Sequence, residues 1–361
     1  MKTTVDLREE KQGPALRSAQ GRKDKVTNLD RASIDETLWA AGSATIGAAV
    51  WAGTAVLARA GVARLGSVEL IFLFAPLVIV PLGMALGRAV SAFGWCDKTG
   101  CRLQPVGAAL AVVAMWLPPG RNAGMAALGW MLVCVLLAGN GMAELARAAG
   151  RATHRACPFD RLRAGSENAE GSVRSVLAIA KIDLAVGGAW LVASRLGMRP
   201  MGIQEPIGLL TAVHFHYAGF ATATIAAATL AFGQTGGPQR WLQRVMAPVA
   251  GLPFVVAVGF VISPAMKMGA ALMFSASVAA LAVFLRAAGK QALDATARVL
   301  LQVASAAVFA GMVLSGAYAV ADFVGSDVLT IPQMASTHGI LNAVGFCLLG
   351  LLGWLVEGSA R

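Results

Sequence analysis

Two short runs hold most of the side chains that could carry a proton or a ligand. The first is Thr211-Ala212-Val213-His214-Phe215-His216-Tyr217-Ala218-Gly219-Phe220. The second is Thr337-His338-Gly339-Ile340-Leu341-Asn342-Ala343-Val344-Gly345-Phe346. Imidazole titrates near neutral pH and ligates metals, so proton transfer and metal or haem binding are the chemistries to weigh. His338 and Asn342 are four residues apart, on one face of a helix. His214 and His216 are two apart, about 200° around a helix, so one ion cannot easily take both. A pair such as His216 with His338 is easier, and Gly219 and Gly345 would leave room for a flat macrocycle. A zinc site would need further ligands, for which Glu205 and Asp322 are the candidates. The plainer alternative is packing: a membrane histidine can hydrogen-bond a neighbouring helix for about 1 kcal/mol. Three histidines at one depth weigh towards function.

These runs lie in segments apolar enough to cross a bilayer, which needs about 20 such residues. Candidate spans fall at 38–58, 68–87, 104–119, 122–142, 176–196, 207–232, 245–264, 268–286, 299–321 and 334–355. Pro118-Pro119 and Gly120-Arg121-Asn122 predict a tight hairpin between the third and fourth. The fifth carries Lys181 and Asp183, placed near its start at the inner interface. Both histidine runs sit one to two turns inside the outer end of their spans. Glu69, Arg195, Glu205, Ser263, Tyr318 and Asp322 fall near the same level. If spans five, six, nine and ten touch, these residues form a polar pocket open to the outside. His214, His216, Tyr217, His338, Asn342, Asp322, Glu205 and Arg195 are its candidate solute- or proton-binding residues.

Composition supports the membrane reading. Hydrophobic residues make up 57% and charged residues 14% of the 361. Ordinary soluble chains hold roughly 45–50% and about 25%. The net charge of +11 would suggest nucleic acid in a soluble protein, but the 30 Lys and Arg lie mostly between spans. With the amino terminus inside, alternate loops place most of them on the cytoplasmic side, as the positive-inside rule requires. The expected fold is therefore an all-α polytopic bundle of about ten helices with both termini cytoplasmic. Residues 1–37 read as a disordered cytoplasmic tail without a signal-peptide core. Residues 38–356 are the membrane domain. Residues 143–175 read as a cytoplasmic loop insertion, in which Pro158-Phe159-Asp160-Arg161-Leu162-Arg163-Ala164-Gly165-Ser166 resembles a peptide encoded by repeated elements in bacterial genes.

No nucleic-acid motif, phosphate loop, dinucleotide fingerprint or nucleophile elbow stands in a credible context. Cys96, Cys101, Cys134, Cys157 and Cys347 have no metal-site spacing. No cofactor is fixed by this pattern, and an enzyme is the less favoured class.

Four segments resemble the YndJ-like family of bacterial integral membrane proteins. They are Gly187-Gly188-Ala189-Trp190-Leu191-Val192-Ala193-Ser194-Arg195-Leu196-Gly197, Pro206-Ile207 through Phe220, His338-Gly339 with Asn342-Ala343-Val344-Gly345-Phe346, and Ala75-Pro76-Leu77-Val78-Ile79-Val80-Pro81-Leu82. The resemblance covers roughly 38–356. It implies a multi-pass protein of the bacterial inner membrane, of a kind labelled transporter with no substrate attached. Three functions remain open. One is a small-solute transporter coupled to protons through the histidines. Another is a membrane-embedded metal or haem protein, and the third is a sensor or structural partner without turnover.

Overall fold

The computed structural model describes residues 39–91, 94–154, 164–233, 239–326 and 329–360, with side chains described except at 151–154, 164–169 and 239. Ten long helices account for nearly all of them. They are α1 (Trp39–Arg59), α2 (Ser67–Val90), α3 (Trp95–Trp116), α4 (Arg121–His154) and α5 (Ala164–Leu196). After them come α6 (Ile207–Phe232), α7 (Gln239–Ile262), α8 (Pro264–Lys290), α9 (Ala295–Phe323) and α10 (Ile331–Ala360). The expected all-α bundle of about ten helices is what the chain forms. Among the described residues, nine helices are long enough and hold a stretch apolar enough to cross a membrane. The tenth, α3, carries Asp97, Lys98, Arg102 and Gln104 in its first turns.

The expected loop at 143–175 is largely helix instead. Helix α4 runs on to His154 and α5 already begins at Ala164. The cause is local: Ala143-Glu144-Leu145-Ala146-Arg147-Ala148-Ala149 is built from strong helix formers. The tail at 1–37 and residues 158–163 of the inserted peptide lie outside the described residues.

Helices α3 and α4 pack together, as do α4 and α5, α7 and α8, and α8 and α9. Between these groups run α2 and α6, whose apolar stretches are 89% and 83% buried against 22–56% for the other spans. They are the central helices. The α3–α4 turn is tight as expected, and Gly120 at its end donates N–H to the Arg195 carbonyl at 2.7 Å. Helix α5 stops at Gly197, whose φ of 73° suits a residue without Cβ, and Met198 N–H closes the end on Ala193 at 2.9 Å.

Helix α2 is wider than an α-helix over Ala75–Ile79, where Val80 N–H reaches back five residues to Ala75. Prolines explain what surrounds this π stretch. Pro81 has no N–H to give the Pro76 carbonyl, and Gln104 of α3 donates its Nε2–H there instead at 2.6 Å. Ala75 N–H turns to the Phe72 carbonyl, which Pro76 cannot serve, and the Ile71 carbonyl so released accepts the Tyr217 hydroxyl of α6 at 2.8 Å. Trp51 of α1 donates to the Leu70 carbonyl at 2.7 Å. Three neighbouring helices thus satisfy one central helix. Gln104→Leu leaves the buried Pro76 carbonyl unpaired and should cost about 1–3 kcal/mol, measured as a lower melting temperature in detergent.

Helices α6 and α10 have π stretches too, at Phe215–Ala221, Ala335–Gly339 and Leu341–Leu348. The stretches of α2 and α6 meet each other, and both meet Leu341–Leu348 of α10. The bundle's centre is therefore a level where three helices are simultaneously widened.

Candidate functional site

Every histidine-run candidate lies on or beside this level. His216 and Tyr217 are inside the α6 π stretch and His214 immediately precedes it. His338 and Asn342 occupy the two π stretches of α10. Such widenings cost regular hydrogen bonding and occur often at functional sites.

His216 is completely buried. Its Nδ1 is 2.7 Å from the Ala212 carbonyl, which can only accept, so Nδ1 carries the proton. Its Nε2 accepts the Trp130 indole N–H of α4 at 2.9 Å. The two rings stack with centroids 5.9 Å apart, and Phe72 of α2 meets the imidazole edge-on at 5.2 Å. Gly187 of α5 makes the room: a Cβ there would stand 2.6 Å from Nδ1. Both nitrogens are occupied, so His216 offers no lone pair to a metal in this arrangement.

Of the two span-six histidines expected to partner His338, His216 is bonded to Ala212 and Trp130 instead. His214, not His216, lies within electrostatic reach of His338. His214 is exposed and donates Nδ1–H to the Leu210 carbonyl at 2.7 Å. His338 is half-buried and donates Nδ1–H to the Gly311 carbonyl of α9 at 2.9 Å. Asn342 donates to the His338 carbonyl at 2.7 Å. Its 3.2 Å approach to Nδ1 brings two donors together and is not a hydrogen bond. Each of these two rings keeps Nε2 as an acceptor.

The remaining candidates do not join this pocket. Asp322 pairs with Lys267 of α8 at 2.6 Å. It lies eleven residues along α9 from Gly311, a rise of about 16 Å. Arg195 is buried at the end of α5, where its Nη2 donates to Ser194 at 3.2 Å and its Nε has no partner. Glu205 and Glu69 act on it through space. Those two carboxylates also close helix starts, Glu205 accepting from Leu209 N–H at 3.2 Å and Glu69 from Gly66 N–H at 3.0 Å. The polar residues expected in one pocket thus divide into three groups. Among the described residues, no three His, Cys, Asp or Glu gather as metal ligands.

A fourth group is the one sequence reasoning missed. Asp97 of α3, Asn140 and Glu144 of α4 and Lys181 of α5 form a buried network. Lys181 Nζ is 3.0 Å from Asp97 Oδ2 and 3.4 Å from Glu144 Oε1. Asn140 Nδ2 donates to the same two oxygens at 2.6 and 2.7 Å. Asp97 also accepts from Gly94 N–H at 3.2 Å, as the first-turn carboxylate of α3. An intramembrane lysine is the signal that could have found it, since such a charge needs a partner. Asp183, two residues on, is fully buried, and neither of its oxygens has a hydrogen-bond partner.

Residues 70–346 match the family described as YndJ-like protein. The chain is also 31% identical over 179 residues to the uncharacterized membrane protein YndJ of Bacillus subtilis (strain 168). That match covers 49% of this chain and 32% of the relative, so the chain spans about a third of the relative's length. No solved structure matches. With its multiple membrane-length helices and a family match running from α2 into α10, the chain is a membrane protein that belongs to the YndJ-like family.

Proposed function

We propose that the protein is a transporter of a small solute, coupled to protons, working in a bacterial cytoplasmic membrane with both ends on the cytoplasmic side. One observation carries this reading: the π stretches of α2, α6 and Leu341–Leu348 of α10 converge at the centre of the bundle, His216, Tyr217 and Asn342 lie on them, and His338 stands one turn before Asn342. Irregular backbone at membrane depth is tolerated where it is enclosed by protein or lines a water-filled path. Helices that have already given up regular bonding can shift between two arrangements at low cost. Tyr217 and Asn342 supply hydroxyl and amide groups suited to orienting a polar solute.

Proteoliposomes enclosing a pH-sensitive dye test this. The panel is amino acids, sugars, nucleosides and organic cations. At least one class should drive proton movement, and Asn342→Ala should lower it tenfold or more while the protein still melts cooperatively. Folded protein that moves no protons with any class would overturn the reading.

A second reading has its own observation. His214 and His338 each fix Nδ1–H on a backbone carbonyl, the arrangement that orients a metal-ligating imidazole and leaves Nε2 free. Purified protein showing a haem absorption band, lost in His338→Ala, would favour this reading. Colourless, iron-free protein from iron-replete cells would end it.

A further inference from the structure

Among the described residues, no group makes a hydrogen bond to the Asp183 carboxyl. Its side chain packs on Gly219 of α6, where a Cβ would come within 2.6 Å of Asp183 Cγ and 2.8 Å of Oδ2. Gly219 is twelve residues into α6 and thirteen before its end at Phe232, so Asp183 sits at mid-depth. The distance from either end of α6 is about 18–20 Å. The helices packed against α5 are α4, α6 and α7. Among the described side chains, their titratable and charged groups are Arg121, Glu144, Arg147, His214, His216, Tyr217, Arg240 and Arg244, with Cys134 on α4. On α5 itself stand Glu170, Arg174, Lys181 and Arg195. None of these exerts a resolved charge interaction on Asp183. Lys181 is held by Asp97 and Glu144, and His216 by Ala212 and Trp130.

An ionised carboxylate without partners in such a place is far more costly than the same group carrying a proton. We infer that Asp183 is the proton carrier of this protein: it holds a proton while α5 and α6 are closed around it and exchanges that proton with water when they part. The step is a single proton transfer. The carboxylic O–H bond breaks, the proton passes to a water oxygen, and the carboxylate remains until a hydrated proton returns. A small cleft lined by Gly87, Lys181, Phe220 and Thr224 lies between α2, α5 and α6. Gly219 is the conformational partner, because only a residue without a side chain lets α6 close over the acid.

The inference deepens the transport reading but is tested without transport. Infrared spectra of the purified protein at neutral pH should show an un-ionised carboxylic-acid carbonyl band that is missing from Asp183→Asn. Transfer to deuterated water should shift that band while the protein remains folded. If Asp183→Asn fails to fold, Asp183→Glu serves, and its band should appear at a displaced frequency. Spectra identical with and without Asp183, or a band that never shifts in deuterated water, would overturn the proposal. A shifting band in a protein that moves no solute would leave the proton carrier standing and remove the transport reading.

Discussion

Lys181→Met should be the most damaging single charge change in the protein, lowering stability by about 3–5 kcal/mol. The lysine is enclosed, its side chain only 9% exposed, and lies between two buried carboxylates. Removing it leaves Asp97 and Glu144 facing each other across Asn140 without the ammonium that bridges them. The attraction a buried pair gains is mostly spent on its own desolvation, so the loss comes from stranding the partners. That distinction has a consequence: Lys181→Met combined with Asp97→Asn and Glu144→Gln should regain most of the stability. Thermal melting of the single and triple variants in one detergent decides it. A triple variant as unstable as the single one would show that the loss is packing, not charge.

The second large effect is at Trp130. It heads the fully buried side chains by volume and lies where α4 meets α6. Trp130→Ala should lose about 3–5 kcal/mol, from the cavity and lost transfer energy together. Trp130→Phe fills most of the cavity but leaves His216 Nε2 an orphan acceptor, and should lose about 1–3 kcal/mol. The difference between the two variants separates volume from hydrogen bonding. If Trp130→Phe melts with the wild type, the indole–imidazole bond contributes nothing.

The helices were legible because apolar length is a coarse and additive signal. Ten spans could be read from 20-residue windows, and each corresponds to a helix. Depth was less legible. From the sequence, Asp183 falls near a helix start because the polar stretch through Arg174 reads as loop. That segment is helix, so α5 begins earlier and Asp183 moves to the middle. The histidines could be picked out by residue type, but their partners could not. Trp130 and His216 are 86 residues apart, and no local spacing announces such a bond. The π stretch of α2 is hinted at by Pro76 and Pro81, whose missing N–H groups need donors from elsewhere. That Gln104 and Tyr217 supply them is a matter of tertiary packing alone. Asp322 shows the same gap: span counting puts it near the histidine level, but it stands about 16 Å along α9 from Gly311 and pairs with Lys267 of α8.

Transport requires that the level where α2, α6 and α10 are widened opens to water, and a native side chain reports on it. Cys347 lies in the Leu341–Leu348 stretch, 1% exposed and within reach of Tyr217. Cys134 of α4 is equally buried, packed against Gly188 of α5 and outside the π stretches of the chain. Two variants, each retaining one of these cysteines, should be exposed in membranes to a water-soluble maleimide. Cys347 should be alkylated in the folded protein at a measurable rate, at least tenfold faster than Cys134. Both thiols remaining inert until the protein unfolds would contradict the claim, because the centre would then be a permanently closed core.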